Sequence, residues 1–397
     1  MKNKHNLNFY KNYQYYVLLI FILLSIFVLS FRLNSVMPGL SNIELGTLRQ
    51  NLTFNYLIHN PLNLIINLIR FMVIHILHTQ SIFRLRLANL ILGYLSIMVF
   101  FLALKFWYGN KTALLGIGMF ISSPWVINVS RIATNDVQSL FGISLLLLIS
   151  GLLRKKFKSP IIYIVINFIL SILIFIPGLI WFVLVLIIFQ RKDFHFGLKS
   201  QNKFSLPFYI ILSILSLPLL VIYLIKSSQN VLNFLGLSLK HINIISKLKD
   251  LGLAIDHSFL FGPNNPSLWL GRYPILNIFG LVCVIIGIYF YILHFKNNNS
   301  KLLFSILIIG LVLLALNKSN SLSLSLPTIY FFIATGISYL LQIWLKLFPI
   351  NPLARSIGII LIIILISLSV LLNTRQYFVA FANNPRSRSS FEIRLKD

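Results

Sequence analysis

Acidic residues are almost missing from this sequence: its 397 residues contain seven Asp or Glu, and all charged residues together make up 10%. A soluble domain usually carries about a quarter charged residues, so this chain lacks the polar surface needed to face water. Cysteine is nearly absent as well. Cys283 stands alone inside an apolar run, which excludes an intramolecular disulfide. No HExxH is present, no cysteines are paired, and the eight histidines are scattered, so no metal site is expected from spacing. No glycine-rich phosphate loop follows a strand; Gly116 and Gly118 fall inside an apolar run and are expected to serve helix packing. What remains is an apolar, basic chain. Hydrophobic residues make up 58%, mean hydropathy is +0.88, and 34 Lys and Arg give a net charge of +27. In a soluble protein that charge would suggest nucleic acid; in a membrane protein the lipid head group is the partner, and no nucleic acid is expected.

The fold class expected is an all-α polytopic membrane protein. Its basic N-terminus, MKNKHNLNFYKNYQ, precedes an apolar run from Tyr16 to Phe31 with no small-x-small cleavage site, which reads as an uncleaved first span entering from the cytoplasm. Further spans are expected at 88–107, 113–129, 137–153, 161–176, 179–189, 206–225, 274–293, 302–316, 326–343 and 357–372, about eleven helices in all. Pro177-Gly178 divides 161–189 at a turn. A hairpin there puts the flanking basic clusters, Arg154 to Lys158 and Arg191 to Lys203, on one cytoplasmic side. Pro61 to His78 is apolar but carries Asn63, Asn67, Arg70 and His78 along one stripe, and reads as an interfacial helix on the outer surface. Trp107, Trp125, Trp269 and Trp344 fall near expected span ends, where indole rings favour the interface. The chain, 1–397, is expected to be one domain with two long outer segments, 32–87 and 226–273, and a short outer basic tail, 374–397. Long loops in a compact protein are more often functional than idle.

On this topology Glu44, Asp136, Asp250 and Asp256 lie outside or at the outer membrane edge, while the spans are nearly free of charge. The active face is therefore expected outside the cytoplasm. Glu44 follows Pro38-Gly39 at the start of a short helix. A carboxylate held against lipid could act as a general base, or simply satisfy a helix N-terminus. Arg131 and Asp136 lie in SPWVINVSRIATND, where an anchor and a helix cap explain them equally well. Asp256 and His257 precede the turn-rich Gly262-Pro263-Asn264-Asn265-Pro266, in which turn formation accounts for the Asn, Gly and Pro.

Taken in order, these segments resemble the membrane-embedded glycosyltransferases of the C-type fold, the group of protein O-mannosyltransferases and lipid A aminoarabinose transferases. The resemblance runs over most of the chain. It rests on the N-in first span, the Pro38-Gly39-Leu40 turn followed by Glu44, and His59-Asn60-Pro61-Leu62, which is similar to a His-Pro-Pro-Leu stretch. IFRLRLANLILG at 82–93, SPWVINVSRIATND and FLFGPNNP at 259–266 complete it. The resemblance implies a sugar donor on a polyprenyl phosphate, with Glu44 and Asp136 as catalytic carboxylates and Arg131, Arg70 or Arg272 on the phosphate. His59, Asp256, His257 and Asn264 are further candidates. It leaves a divalent cation possible as cofactor and the acceptor undefined. The sequence departs from the family at Ile43, where an aspartate base is usual: either Glu44 takes over that role or the chemistry is altered.

The function expected is sugar transfer from a polyprenyl-phosphate donor at the outer face of the cell membrane. A transporter or flippase of lipid-linked glycan would depend instead on groups deep in the spans. A polysaccharide ligase or polymerase would depend more on its arginines than on Glu44.

Overall fold

A computed structural model describes residues 20–393, apart from 34, 38, 49–52, 78–80, 158, 200–206, 208–209, 212–215, 238–243, 272 and 318–321. Among the described residues the chain is helical, without a named strand. α1 spans Ile20–Ser30. The first outer segment folds into three short helices, α2 (Asn42–Leu48), α3 (Phe54–His59) and α4 (Leu64–Ile76), before α5 (Ile82–Tyr108). α6 (Asn110–Ser122) and α7 (Pro124–Arg131) follow, then α8 (Asp136–Arg154), α9 (Pro160–Leu173), α10 (Leu179–Phe189) and α11 (Arg191–Lys199). Helices Ser216–Ile225, Ser228–Leu235 and Ile244–Phe259 lead to four long ones, Ile278–Leu293, Asn298–Asn317, Leu326–Leu347 and Pro352–Arg375.

Each expected span coincides at least in part with a described helix, but lengths vary; residues 16–19 of the first span and most of 206–215 lie outside the described residues. Five helices are long and apolar enough to cross a membrane, and the α6–α7 pair, bent by 61°, makes a sixth if counted as one span. Helices of 10–17 residues occupy other expected spans, including α1, α9, α10 and Ile278–Leu293. By length and apolarity the described helices thus supply five or six crossings where the sequence suggested about eleven. The bend has a local cause: Ser123 caps α7 through its hydroxyl and Pro124 takes the first helical position, where its missing N–H costs nothing.

The core runs through Leu326–Leu347, whose residues Leu326 to Ile337 are all buried. It meets Ile278–Leu293 closely because of two glycines: a Cβ at Gly287 would lie 2.1 Å from the Phe332 carbonyl oxygen, and one at Gly336 2.0 Å from that of Cys283. The last long helix is the outermost, with Ile357, Ile360, Ile363 and Leu371 exposed as a lipid-facing surface. This is a multi-pass membrane protein.

Two expectations change. The polar stripe of α4 faces the protein: Asn67 and Arg70 are buried, and Met72 and Ile76 face outward. An apolar face meeting lipid and a polar face meeting protein suits a helix whose partners are polar, the reverse of a water-soluble amphipathic helix. His78 lies outside the described residues. Trp125 and Trp269 face neither lipid nor water; both are buried, with ring centroids 5.4 Å apart. The C-terminal segment, on which the sequence carries no structural expectation, folds back. After a π-helical turn, Gln376–Phe381, and a short helix, Pro385–Ser389, it pairs Ile393 with Leu40 in an isolated antiparallel bridge.

Candidate functional site

The turn joining α7 to α8, Ile132 to Asn135, is held from three sides by the first outer segment and α5. Glu44 accepts the Ala133 backbone N–H at 3.0 Å, and the Thr47 hydroxyl donates to the Ala133 carbonyl at 3.1 Å. Asn89 donates to the carbonyls of Ile132 (2.8 Å) and Thr134 (2.6 Å). Arg70 donates to Asn135 Oδ1 at 2.8 Å, the Thr134 carbonyl at 3.0 Å and Asn89 Oδ1 at 3.2 Å. Of the candidates named from the sequence, Glu44 and Arg70 meet on this turn. The convergence fixes where α8 begins, and so where Asp136 stands.

Glu44 itself is fully buried. Arg86 grips its carboxylate with two bonds, Nε to Oε1 at 2.9 Å and Nη2 to Oε2 at 3.1 Å, and also donates to the carbonyls of Met37 and Gly39. Ser41 closes a capping box: its backbone N–H donates to Glu44 Oε2 at 3.0 Å, and its hydroxyl accepts from the Glu44 N–H at 3.4 Å. Both carboxylate oxygens are occupied by donors, so Glu44 has the environment of a buried strut. Ile43, at the position where the family resemblance expects an aspartate, is exposed.

Arg131 is equally committed. Its guanidinium donates to the carbonyls of Val28, Leu29, Phe31 and Arg32, tying the end of α1 to α7, while Tyr377 and Phe378 from the C-terminal turn lie 5.5 and 5.2 Å from it. Arg86 was missed as a site residue, although it lies in the quoted Arg-Leu-rich segment. The expected span began at 88, but α5 starts at Ile82 with Ser81 as its cap, so the helix carries Arg86 beyond the apolar run.

Beside this braced turn lies a polar hollow. Two adjoining cavities, of about 300 and 120 Å³, share Asn63, Pro177, Gly236 and Asn317. The larger is also lined by Tyr56, Asn60, Asn67, Tyr223 and Asn233; the smaller by Asn135, Asp136, Gln138 and Ser139. Six asparagines and a glutamine therefore face one space, and Asp136 is the one acid in the described lining. Gln138 donates through its amide to Asn63 Oδ1, linking α8 to the start of α4. Asn63 holds a left-handed conformation at φ 62°, which asparagine tolerates better than most residues. The far wall forms where two glycines meet, Gly178 at φ 77° and Gly236 at φ 68°, with the Gly178 N–H donating to the Phe234 carbonyl. The turn expected at Pro177-Gly178 is thus a wall of the cavity.

The remaining candidates lie elsewhere. His59 ends α3 in an exposed position, although its neighbour Asn60 reaches the cavity. Asp256 and His257 sit on Ile244–Phe259 outside the cavity lining, with His257 Nδ1 3.2 Å from the Phe261 carbonyl. Asn264 is exposed, and the turn around it packs on α7, where Asn128 donates to the Leu268 carbonyl at 2.5 Å. Arg272 lies outside the described residues. Among the described residues no three His, Cys, Asp or Glu come together as a metal site.

An oligosaccharyltransferase from Archaeoglobus fulgidus, crystallised with a tethered acceptor peptide containing an NVT sequon, matches 95% of this chain at a TM-score of 0.57 and 15% identity. ArnT from Cupriavidus metallidurans matches 94% at 0.56 and 12% identity. The fold is that of the C-type membrane glycosyltransferases. The chain spans about 55% of the archaeal chain's length and 77% of the ArnT chain's. The same fold match extends to the archaeal protein in complex with an inhibitory peptide and a dolichol-phosphate, and to ArnT bound to undecaprenyl phosphate. No protein-family model matches this sequence. Nor does any curated protein.

Proposed function

We propose that this protein transfers a sugar from a polyprenyl-phosphate donor to an acceptor hydroxyl or amide, at the end of the helix bundle where the first outer segment lies. The observation that carries the reading is the placement of Asp136: a carboxylate at the start of α8, on a turn braced by Glu44, Arg70 and Asn89, facing an amide-lined cavity in a C-type fold. Asp136 takes the proton from the acceptor. A bond forms between the acceptor atom and the anomeric carbon, while the bond from that carbon to the phosphate oxygen breaks and its electron pair leaves with the lipid phosphate. Phosphate leaves without protonation, so a base and a positioned donor suffice. Glu44 is a positioning residue rather than the base. Of the three arginines proposed for the phosphate, Arg70 and Arg131 are engaged with protein oxygens, which leaves Arg272 in that role. The excess of basic residues suits an anionic donor, and an N-in orientation would put the reaction on the extracytoplasmic side of the cell membrane.

The test is transfer of labelled sugar from undecaprenyl- and dolichyl-phosphate hexoses and pentoses to native membrane acceptors. Turnover by the intact protein that disappears in Asp136→Asn is the expected result. Asp136→Asn with full turnover, or no turnover with any donor by the intact protein, would overturn the reading.

A further inference from the structure

Beside the cavity, in residues of its lining, are two buried acceptors with nothing to accept. Gln138 is 1% exposed and Asn67 4%; the amide nitrogen of each donates to protein, Gln138 to Asn63 Oδ1 and Asn67 to the Leu62 carbonyl at 3.4 Å. The amide oxygens, Gln138 Oε1 and Asn67 Oδ1, have no hydrogen-bond partner among the described residues. A buried acceptor left unpaired is unfavourable, and such groups in native proteins mark a missing water or ligand. Both residues line the hollow, one in each of its adjoining parts. The group that satisfies them must be a donor, and Asp136 in the lining of the smaller part disfavours an anion.

We infer that Gln138 and Asn67 are specificity residues reading two hydroxyl groups of the donor sugar, and that the cavity selects an uncharged sugar over a uronic acid. The inference deepens the proposed reaction and rests on it for the identity of the ligand as a sugar. A hydroxyl donates to an amide oxygen and accepts from a neighbouring amide nitrogen, so the asparagine lining can serve several hydroxyls of one ring. A carboxylate brings acceptors only, to a space already holding two unpaired acceptors and an acid. Tyr56 and Tyr223 supply the aromatic surface on which the C–H face of a sugar ring packs. The larger part, about 300 Å³, is at the small end of ligand sites and suits one ring rather than a chain.

The experiment compares the full chain in nanodiscs with Gln138→Leu and Asn67→Leu, with Asn67→Ser as a milder variant. Binding of methyl glucoside, methyl mannoside, methyl arabinoside and methyl glucuronide is read by saturation-transfer NMR. Transfer is read separately from undecaprenyl-phosphate glucose and undecaprenyl-phosphate glucuronate. Expected are neutral glycosides bound at least tenfold more tightly than the glucuronide, and a loss of that preference of about tenfold in each variant at an unchanged unfolding midpoint. Equal binding or transfer of the uronate overturns the inference and leaves the proposed reaction standing. Selective binding of neutral glycosides with no transfer from either donor does the reverse. A lowered midpoint in all three variants with the preference unchanged also overturns it, because the amide oxygens would then hold structural water only.

Discussion

Replacing Glu44 by glutamine separates a strut from a catalytic base. The substitution keeps the shape but removes the charge that faces Arg86, which is 1% exposed and keeps only the Met37 and Gly39 carbonyls as full partners. It also puts an NH2 where one carboxylate oxygen stood. At Oε1 that group would face the Ala133 N–H, and at Oε2 the Ser41 N–H, so a donor meets a donor either way. Removing one partner of a buried ion pair costs about 3–5 kcal/mol, which for a chain of this length corresponds to a fall in unfolding midpoint of roughly 4–6 °C. The protein carries its own reporter. Cys283 is its only cysteine and is fully buried, so a thiol-reactive fluorogenic dye reads unfolding in detergent. Glu44→Gln should unfold several degrees lower, and the double variant Glu44→Gln/Arg86→Met should recover at least about 1–2 kcal/mol relative to the sum of the single changes. A Glu44→Gln protein with an unchanged midpoint and abolished transfer would refute this reasoning and return the base to Glu44.

Asp136→Asn should behave in the opposite way, losing roughly 10²–10⁴ in turnover at an unchanged midpoint, read by the same two assays. Gly39→Ala should loosen the C-terminal segment. A Cβ there would lie 1.8 Å from the Phe391 carbonyl oxygen, next to the Leu40–Ile393 bridge, so limited proteolysis should cut after Gln376 faster than in the parent protein. Arg131→Gln removes donors from the carbonyls of Val28, Leu29, Phe31 and Arg32, and should lower the midpoint by several degrees without changing the KM for the donor. An altered KM would restore the phosphate role expected for Arg131. Gly236→Ala should impair transfer, because the left-handed backbone at φ 68° and a Cβ 2.9 Å from Gly178 Cα would both displace the cavity wall.

What the sequence disclosed and what it withheld follow from different physics. Apolar length is a local property, so helices stand where the apolar runs are, and Pro177-Gly178 announced a turn that the structure contains. The helix N-terminal role weighed for Glu44 was equally local, and its hydrogen bonds with Ser41 fit that role. Partnership across the chain is not local. Nothing near Glu44 in sequence identifies Arg86, 42 positions away, as the group that holds it, and the apolar run that set the expected start of α5 at 88 hid the arginine just before it. The cavity was harder still to see. Its asparagines, Asn60, Asn63, Asn67, Asn135, Asn233 and Asn317, come from five segments, and in a chain rich in asparagine each was unremarkable alone. The one signal available was the stripe on α4. Asn63, Asn67 and Arg70 on an otherwise apolar helix had to face either water or protein, and a face too polar for lipid is where a membrane protein keeps its chemistry. The arginine of that stripe braces the turn before Asp136 while its two asparagines line the hollow beside it. One face of one helix therefore serves both the stability of the site and its recognition surface, and substitutions along it should divide accordingly: Arg70 in the unfolding midpoint, Asn67 in the choice of sugar.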